Sequence, residues 1–238
     1  MAAHAAGTIH LLSGGAAQGL VGALQARFLA ERGYAVEGTF GAVGAMRDKL
    51  LAGAPCDVLI LTQALVDQLA ADGHVVNGSD VPLGVVKTGI AVKNGEKAPD
   101  VATAGALKAA LLAAQGIYFP DPVKATAGIH FMKVLKALGI DTEVAPRLRA
   151  FPNGAAAMRE MAQSKEPGVI GCTQVTEILF APGVQLVDLL PREFELATVY
   201  TAAVCTQSKE ADATRAFIAL LASAEAASLR AAGGFEAL

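Results

Sequence analysis

Strand-like and helix-like segments alternate along the first third of the chain, and this alternation restricts the fold more than any other feature. The strand-like runs are rich in Val, Ile and Leu, and each is followed by apolar residues at helical spacing. Strands are predicted at 8–13, 34–40 and 57–62, and helices at 16–32, 45–52 and 63–72. Such alternation predicts a parallel sheet with right-handed crossovers. Gly33 is predicted to end the first helix.

A second alternating set follows in the middle of the chain. Helices are predicted at 104–114, 126–138, 153–163 and 173–179, and strands at 116–119 and 168–171. Two longer strands, at 85–93 and 198–205, flank this set. We therefore predict an α/β protein with two lobes, each a mostly parallel sheet flanked by helices, joined by two crossing strands. Lobe I is expected to be 1–88 plus 198–238 and lobe II 89–197, with a ligand cleft between them.

Composition excludes several classes of protein. Hydrophobic residues make up 53% of the chain and charged residues 17%, which fits buried sheets and argues against disorder. The net charge of −3 comes with no basic run, so no nucleic-acid partner is expected. No apolar run is long enough to span a membrane. The three cysteines are widely spaced and indicate buried free thiols, with no metal site and no cofactor.

The N-terminal residues 1–8 lack the charged and apolar regions of a signal peptide. The protein is expected to be periplasmic if a leader was removed, and cytoplasmic if this N-terminus is native.

Three motifs in order along the chain resemble those of the molybdate-binding-protein family of periplasmic solute-binding proteins. The sequence Gly-Ala-Pro-Cys-Asp at 53–57 is similar to that family's Gly-Ala-Pro-Ala-Asp before the third strand. Asp121-Pro122 with Ala127-Gly128 resembles its Asp-Pro…Ala-Gly, and Pro-Gly-Val-Ile at 167–170 resembles its Gly-Ile-Val strand. The resemblance implies the type II periplasmic-binding-protein fold.

The oxyanion ligands of that family are not retained in this chain. Ala16 and Val43 stand where the family places serines, and Gly171 stands where it places a tyrosine. A dianion stripped of water needs a full set of hydrogen-bond donors. The site is therefore expected to be roomier and more apolar at these three positions.

In the first lobe, ligands of a parallel sheet are expected beyond the carboxyl ends of the strands, at 13–17, 40–44 and 62–63. Ser13, Gly14 and Gly15 precede a helix N-terminus, which favours an anion, or else the glycines only form a tight turn. Thr39 and Phe40 end the second strand, and Thr39 either faces the ligand or lies on a solvent face.

In the second lobe, the loop and helix start at 124–130 carry the most suggestive side chains. Lys124 offers charge for a carboxylate, Thr126 is a candidate N-cap, and His130 lies one turn further on. Ala127 belongs to the same helix start. Histidine can move a proton near neutral pH. The alternative is an exposed lysine, a capping threonine and a surface histidine.

Two further strand ends in the second lobe are candidates. Asn153 begins a helix and either donates to a ligand or acts as a plain cap. Gly171 and Cys172 end a strand at the ligand side, where Cys172 is either a nucleophile or an inert thiol.

These features favour a non-catalytic protein that binds a small organic anion, expected to be a carboxylate, and delivers it to the membrane subunits of an ABC-type importer. The alternative is a cytoplasmic isomerase or tautomerase of a small carboxylic acid, with His130 and Lys124 as catalytic residues. A third hypothesis is that the protein is a cytoplasmic ligand sensor.

We predict that molybdate and tungstate bind no more tightly than millimolar, because Ala16, Val43 and Gly171 supply no hydroxyl groups. Isothermal titration calorimetry with both oxyanions measures this. A micromolar dissociation constant would show that backbone donors alone are sufficient.

Overall fold

A computed structural model describes residues 6–238; residues 1–5, the start of the N-terminal segment discussed above, lie outside the described residues. The described chain is an α/β protein with mixed sheets flanked by helices, as predicted. Its strands are β1 (Gly7–Gly14), β2 (Tyr34–Gly41), β3 (Val58–Thr62), β4 (Val81–Lys93), β5 (Ile117–Pro120), β6 (Leu148–Phe151), β7 (Ile170–Gln174), β8 (Val184–Leu189) and β9 (Ala197–Val204). Its helices are α1 (Gln18–Arg32), α2 (Val43–Leu51), α3 (Gln63–Ala71), α4 (Ala104–Ala113), α5 (Thr126–Ala137), α6 (Asp141–Val144), α7 (Gly154–Gln163), α8 (Val175–Phe180), α9 (Ala211–Ala222) and α10 (Ala227–Ala232).

The chain divides into two compact units. The first comprises the residues up to Val85 together with Thr198–Leu238. Its strands are ordered β2-β1-β3-β9, with β1 parallel to both β2 and β3 and β9 antiparallel to β3. Helices α1 and α9 pack together through the rings of Phe28 and Phe217, whose centroids lie 4.9 Å apart.

The second unit is Val86–Ala197. Its strands are ordered β4-β7-β5-β6, and β8 also pairs with β4. Strand β5 is parallel to β6 and β7, whereas β4 is antiparallel to β7 and β8. The side chains of Phe119 and Phe131 join β5 to α5 in the core, with ring centroids 5.5 Å apart.

Most of the predicted elements of the first unit are present, and the differences lie mainly in the second unit. Gly33 ends α1 in the left-handed conformation, with φ of 74°, as predicted. Strands β6 and β8 and helix α6 were not predicted. The strand predicted at 168–171 begins and ends later, at Ile170–Gln174, and the following helix begins at Val175 instead of 173. The prediction for the end of this strand was therefore wrong by three residues.

The Asp57 carboxylate of the Gly-Ala-Pro-Cys-Asp motif links the backbone of β1 to the segment after β9 by hydrogen bonds. Its oxygens accept hydrogen bonds from the His10 backbone at 2.8 Å and from the Ser208 hydroxyl at 2.7 Å. The adjacent Cys56 thiol lies 3.3 Å from the Cys205 sulfur, and both are buried free thiols. The motif thus has a structural role in joining the start of β3 to the end of β9.

No helix within residues 6–238 combines the length and the apolar character needed to cross a lipid bilayer.

A buried carboxylate closes the N-terminus of α7 in the second unit. Glu177 accepts hydrogen bonds from the Gly154 backbone N–H at 3.1 Å and from the Thr173 hydroxyl at 2.5 Å. The side chain comes from α8 and is 5% exposed. A negative group at this position is favoured by the helix dipole and by the unpaired N–H groups of the first turn.

Position 154 must be glycine for this contact to form. A Cβ atom there would lie 2.0 Å from both Glu177 Oε2 and Thr173 Oγ1, which is far inside contact distance. The absence of a side chain at Gly154 therefore lets the carboxylate reach the helix end.

Burial raises the pKa of Glu177 above its ordinary value, and the hydrogen bonds from Thr173 and the backbone only partly oppose this. The folded protein then binds this proton more tightly than the unfolded chain does. The stabilising contribution is fully present below the unfolded pKa of about 4.3 and is lost as pH rises through the raised folded value.

Glu177→Gln should flatten this pH dependence, because the amide keeps the oxygen that accepts from Gly154 and its NH2 group can donate to Thr173 Oγ1. Urea unfolding from about pH 4.5 to pH 8 should show the free energy of unfolding falling more steeply in the wild type than in the variant. Glu160→Gln, at an exposed position on the same helix α7, is the matched control. Parallel curves for the wild type and Glu177→Gln would contradict the assignment.

Candidate functional site

The carboxyl ends of β1, β2 and β3 meet at one edge of the first unit. The strand register pairs Ser13 with both Phe40 and Ile60. At this edge Ser13 is buried and its hydroxyl donates to the Gly14 carbonyl oxygen at 2.8 Å. Directly after β3, at the first residue of α3, Gln63 Oε1 accepts a hydrogen bond from the Thr201 hydroxyl at 2.5 Å. Both the Ser13 hydroxyl and the Gln63 side-chain oxygen therefore already have hydrogen-bond partners within the protein.

Gly14 serves close packing at this edge. A Cβ atom on it would lie 2.9 Å from Val43 Cγ1 and 3.0 Å from Tyr200 Cε1. Gly15 and Ala16 are buried beside it, in a short 3-10 turn that precedes α1. Close packing, which the sequence did not indicate, thus explains why position 14 is glycine. Ala16 and Val43 give this edge an apolar lining.

Thr39 lies two residues before the carboxyl end of β2, on a surface groove. It is exposed on β2 and lines a surface groove of about 450 Å³ with His10, Glu37 and Lys49. The Phe40 ring folds back over Gly38 of the same strand. Thr39 thus lies on the solvent face, the alternative that its strand position left open.

In the second unit, the loop between β5 and α5 is organised by Asp121. Its Oδ1 atom accepts from the backbone N–H groups of Val123 at 2.7 Å and Lys124 at 2.9 Å. Lys124 is exposed on this loop. Thr126 is the first residue of α5, and the N-cap is Ala125, so the prediction that Thr126 caps the helix is wrong. Ala125 has no side-chain acceptor and makes no capping hydrogen bond.

Within α5, Ala127 is buried in the first turn and His130 is half-buried one turn later. His130 Nε2 lies 2.7 Å from the carbonyl oxygen of Phe194. A carbonyl oxygen only accepts, so Nε2 carries the proton and donates it. In the neutral ring this leaves Nδ1 as the nitrogen with a free lone pair, the form that a general base requires.

The N-terminus of α7 differs from that of α5 because its donors are engaged inside the protein. Asn153 is the N-cap, and its side-chain oxygen accepts from the Ala156 N–H at 2.8 Å. The Gly154 N–H donates to Glu177. The capping alternative for Asn153 is the one observed.

Gly171 and Cys172 lie inside β7, not at its end. Gly171 packs against the side chains of Met158 and Met161. Cys172 is fully buried in the core with Ile90 and Phe131, and burial raises the pKa of its thiol. The full burial of Cys172 agrees with the inert-thiol alternative, and the prediction that these two residues end the strand is wrong.

The true end of β7 carries polar groups that sequence reasoning missed. Gln174 is 3% exposed, Thr88 of β4 is 1% exposed and Thr176 of α8 is 4% exposed. Within residues 6–238, neither end of the Gln174 amide nor either threonine hydroxyl has a hydrogen-bond partner. Each such group costs about 1–3 kcal/mol when buried unpaired. The signal was the polar run Thr-Gln-Val-Thr-Glu at 173–177 directly after an apolar strand.

Among the described residues, no group of three or more His, Cys, Asp and Glu side chains is arranged to hold a metal ion.

Comparisons with known proteins agree with this architecture. The sequence profile of the family described as bacterial extracellular solute-binding protein matches residues 9–236. The periplasmic molybdate-binding protein of Azotobacter vinelandii is 18% identical, with a TM-score of 0.81 over 97% of this chain and 99% of that one. The sulfate-binding protein SubI of Mycobacterium tuberculosis H37Rv is 19% identical, with a TM-score of 0.75 over 97% and 87% of the two chains.

A relative found by sequence is aconitate isomerase from a Pseudomonas species. It is 30% identical over 187 residues, which cover 77% of this chain and 68% of the relative. The two solved structures confirm the type II periplasmic-binding-protein fold that the motifs implied. With nearly its whole length matched by the family profile, the chain belongs to the bacterial extracellular solute-binding protein family.

Proposed function

We propose that this protein binds a small organic anion, a carboxylate, and delivers it to the membrane subunits of an ABC-type importer. Family membership over residues 9–236 is the observation that carries this proposal. The two lobes expected from the sequence, with one ligand held in the cleft between them, are part of the proposal.

The uncapped N-terminus of α5 supports an anionic ligand. Its N-cap residue, Ala125, supplies no side-chain acceptor, and the positive end of the helix dipole attracts a negative group. Lys124 lies just before this helix end and adds a full positive charge. Of the other two helices that begin at this edge, α7 already has the Glu177 carboxyl group at its Gly154 N–H, and α8 is only six residues long, so the ligand's charge is best placed at α5.

A carboxylate fits better than a tetrahedral oxyanion. Ala16 and Val43 line the first unit's edge with apolar surface, which suits the carbon skeleton of an organic acid. Without hydroxyls at these positions, a fully dehydrated dianion lacks donors. The aconitate isomerase relative acts, by its name, on an unsaturated tricarboxylic acid, which supports the same ligand class.

Lys124→Ala should weaken binding of the carboxylate by about 1–3 kcal/mol, the scale of a charge-assisted hydrogen bond. Ligands are first identified by thermal-shift screening of organic acids and then titrated by calorimetry against both proteins. Lys133→Ala, at an exposed position within α5, is the control and should leave the affinity unchanged. Equal losses in the two variants would reduce the role of Lys124 to general electrostatics, and no loss in either would remove it from the site.

A second candidate function is isomerisation of a small unsaturated carboxylic acid. The identity to aconitate isomerase favours it, and His130 has suitable geometry. Moving a double bond requires a base to take a proton from one carbon and return it to another. With Nε2 held by the Phe194 carbonyl, the Nδ1 lone pair of His130 is available for that transfer. Lys124 would hold the carboxylate.

If the protein is an isomerase, His130→Ala should lower turnover by about 100-fold or more, with a smaller effect on ligand affinity. The assay incubates purified protein with cis- and trans-aconitate and related unsaturated acids in deuterated water and follows deuterium incorporation and isomer conversion by NMR. His74→Ala, on a loop of the first unit, is the matched control.

Conversion that disappears only in His130→Ala would replace the carrier proposal with the enzyme. No conversion of any acid that measurably binds would eliminate the isomerase.

A further inference from the structure

We propose that Gln174, with the hydroxyl groups of Thr88 and Thr176, forms an uncharged recognition set for a polar arm of the ligand that carries both a hydrogen-bond acceptor and a donor, as a hydroxycarboxylate does. This inference rests on the proposed function and adds the identity of the ligand class and of the residues that select it.

The strand register brings Thr88 and Gln174 together. They are direct partners on the antiparallel β4–β7 pair. The next residues on the same face of these strands, Ile90 and Cys172, also form a pair and lie in the core beneath α5. Because side chains alternate along a strand, Thr88 and Gln174 face the same side as that pair. The two polar side chains therefore lie next to each other at the end of a buried apolar column.

This position lies at the edge of the sheet where a ligand is expected. Strand β7 is parallel to β5, and β5 is parallel to β6. Gln174 is the last residue of β7, so it belongs to the same carboxyl edge as the loop that carries Lys124 and the start of α5. Ligands of such sheets bind beyond this edge.

The neighbouring polar residues show that this segment is not simply poor in hydrogen bonds. Thr173 and Glu177 are equally buried, and they bond to each other and to Gly154. Thr88, Gln174 and Thr176 are buried to the same degree, yet none of their side-chain polar atoms finds a partner among residues 6–238. A ligand that supplied those partners would remove the cost of burying them.

The chemistry of these groups defines what they can recognise. The amide NH2 of Gln174 only donates and its carbonyl oxygen only accepts, while each threonine hydroxyl can do both. A carboxylate alone satisfies the donors but offers nothing to the Gln174 oxygen. A hydroxyl beside the carboxylate supplies that missing donor. The set carries no charge, so the charge of the ligand is met elsewhere, at Lys124 and the N-terminus of α5.

The test compares pairs of acids that differ only by a hydroxyl group: malate with succinate, and citrate with tricarballylate. Calorimetry on the wild-type protein should show the hydroxylated member of at least one pair binding tenfold or more tightly, because a site built around a hydroxyl rejects the analogue that lacks it. Gln174→Leu should abolish most of this preference. Thr88→Val and Thr176→Val should each reduce it in part.

Thermal unfolding provides a readout that a purely structural role would not give. Gln174→Leu replaces unpaired buried polar atoms with apolar ones and should raise the melting temperature of the ligand-free protein while weakening binding. Gln163→Leu, the same substitution at an exposed position, is the control and should change neither quantity. A loss of both stability and affinity in Gln174→Leu would mean that Gln174 is structural, for instance bonded to a buried water.

The outcomes separate this inference from the proposed function. If carboxylates bind but no hydroxyl preference exists, or if Gln174→Leu retains the preference, the recognition set is refuted and the carboxylate-binding function stands. If no organic acid binds, both are refuted.

Discussion

Two parallel strands cannot be joined by a tight turn, and this constraint organises both units of the protein. The chain therefore passes through at least one helix between consecutive parallel strands, both from β1 to β3 and from β5 to β7. The carboxyl ends of the strands therefore collect at one edge of each sheet, next to helix N-termini. The groups that we assign to ligand binding in the second unit lie at this edge because the connectivity leaves them there.

The fold could be predicted from sequence because it depends on a repeated pattern. Apolar strands followed by helices of regular spacing specify a parallel α/β sheet, and small errors in the ends of β1 or α1 do not change that conclusion. The short edge strand β6 carries an arginine and few strand-forming residues, so local sequence gave little sign of it. The prediction of the site residues, by contrast, depended on where individual strands end. Gly171 resembles a turn residue, and placing the end of β7 there concealed Gln174.

The partners of the candidate residues could not be predicted because they lie far away in sequence. His130 bonds to the backbone of Phe194, 64 residues later. Asn153 was predicted either to donate to a ligand or to cap the helix, and the cap is what the structure shows. The acceptor at the neighbouring Gly154 N–H is the protein's own Glu177, 23 residues further on. Residue type indicated the interaction, but only the packing of α7 against α8 determined which group takes part.

The contact between Gly154 and Glu177 also restricts how this protein can diverge. Any side chain at position 154 would displace the carboxylate, and loss of the carboxylate would leave the helix end without its buried acceptor. A side chain at position 154 would also meet the Thr173 hydroxyl, which lies as close as the carboxyl group, so substitutions at positions 154, 173 and 177 are energetically coupled. The residue at any one of these three positions therefore restricts which residues the other two can be, and the start of α7 can change only as a unit.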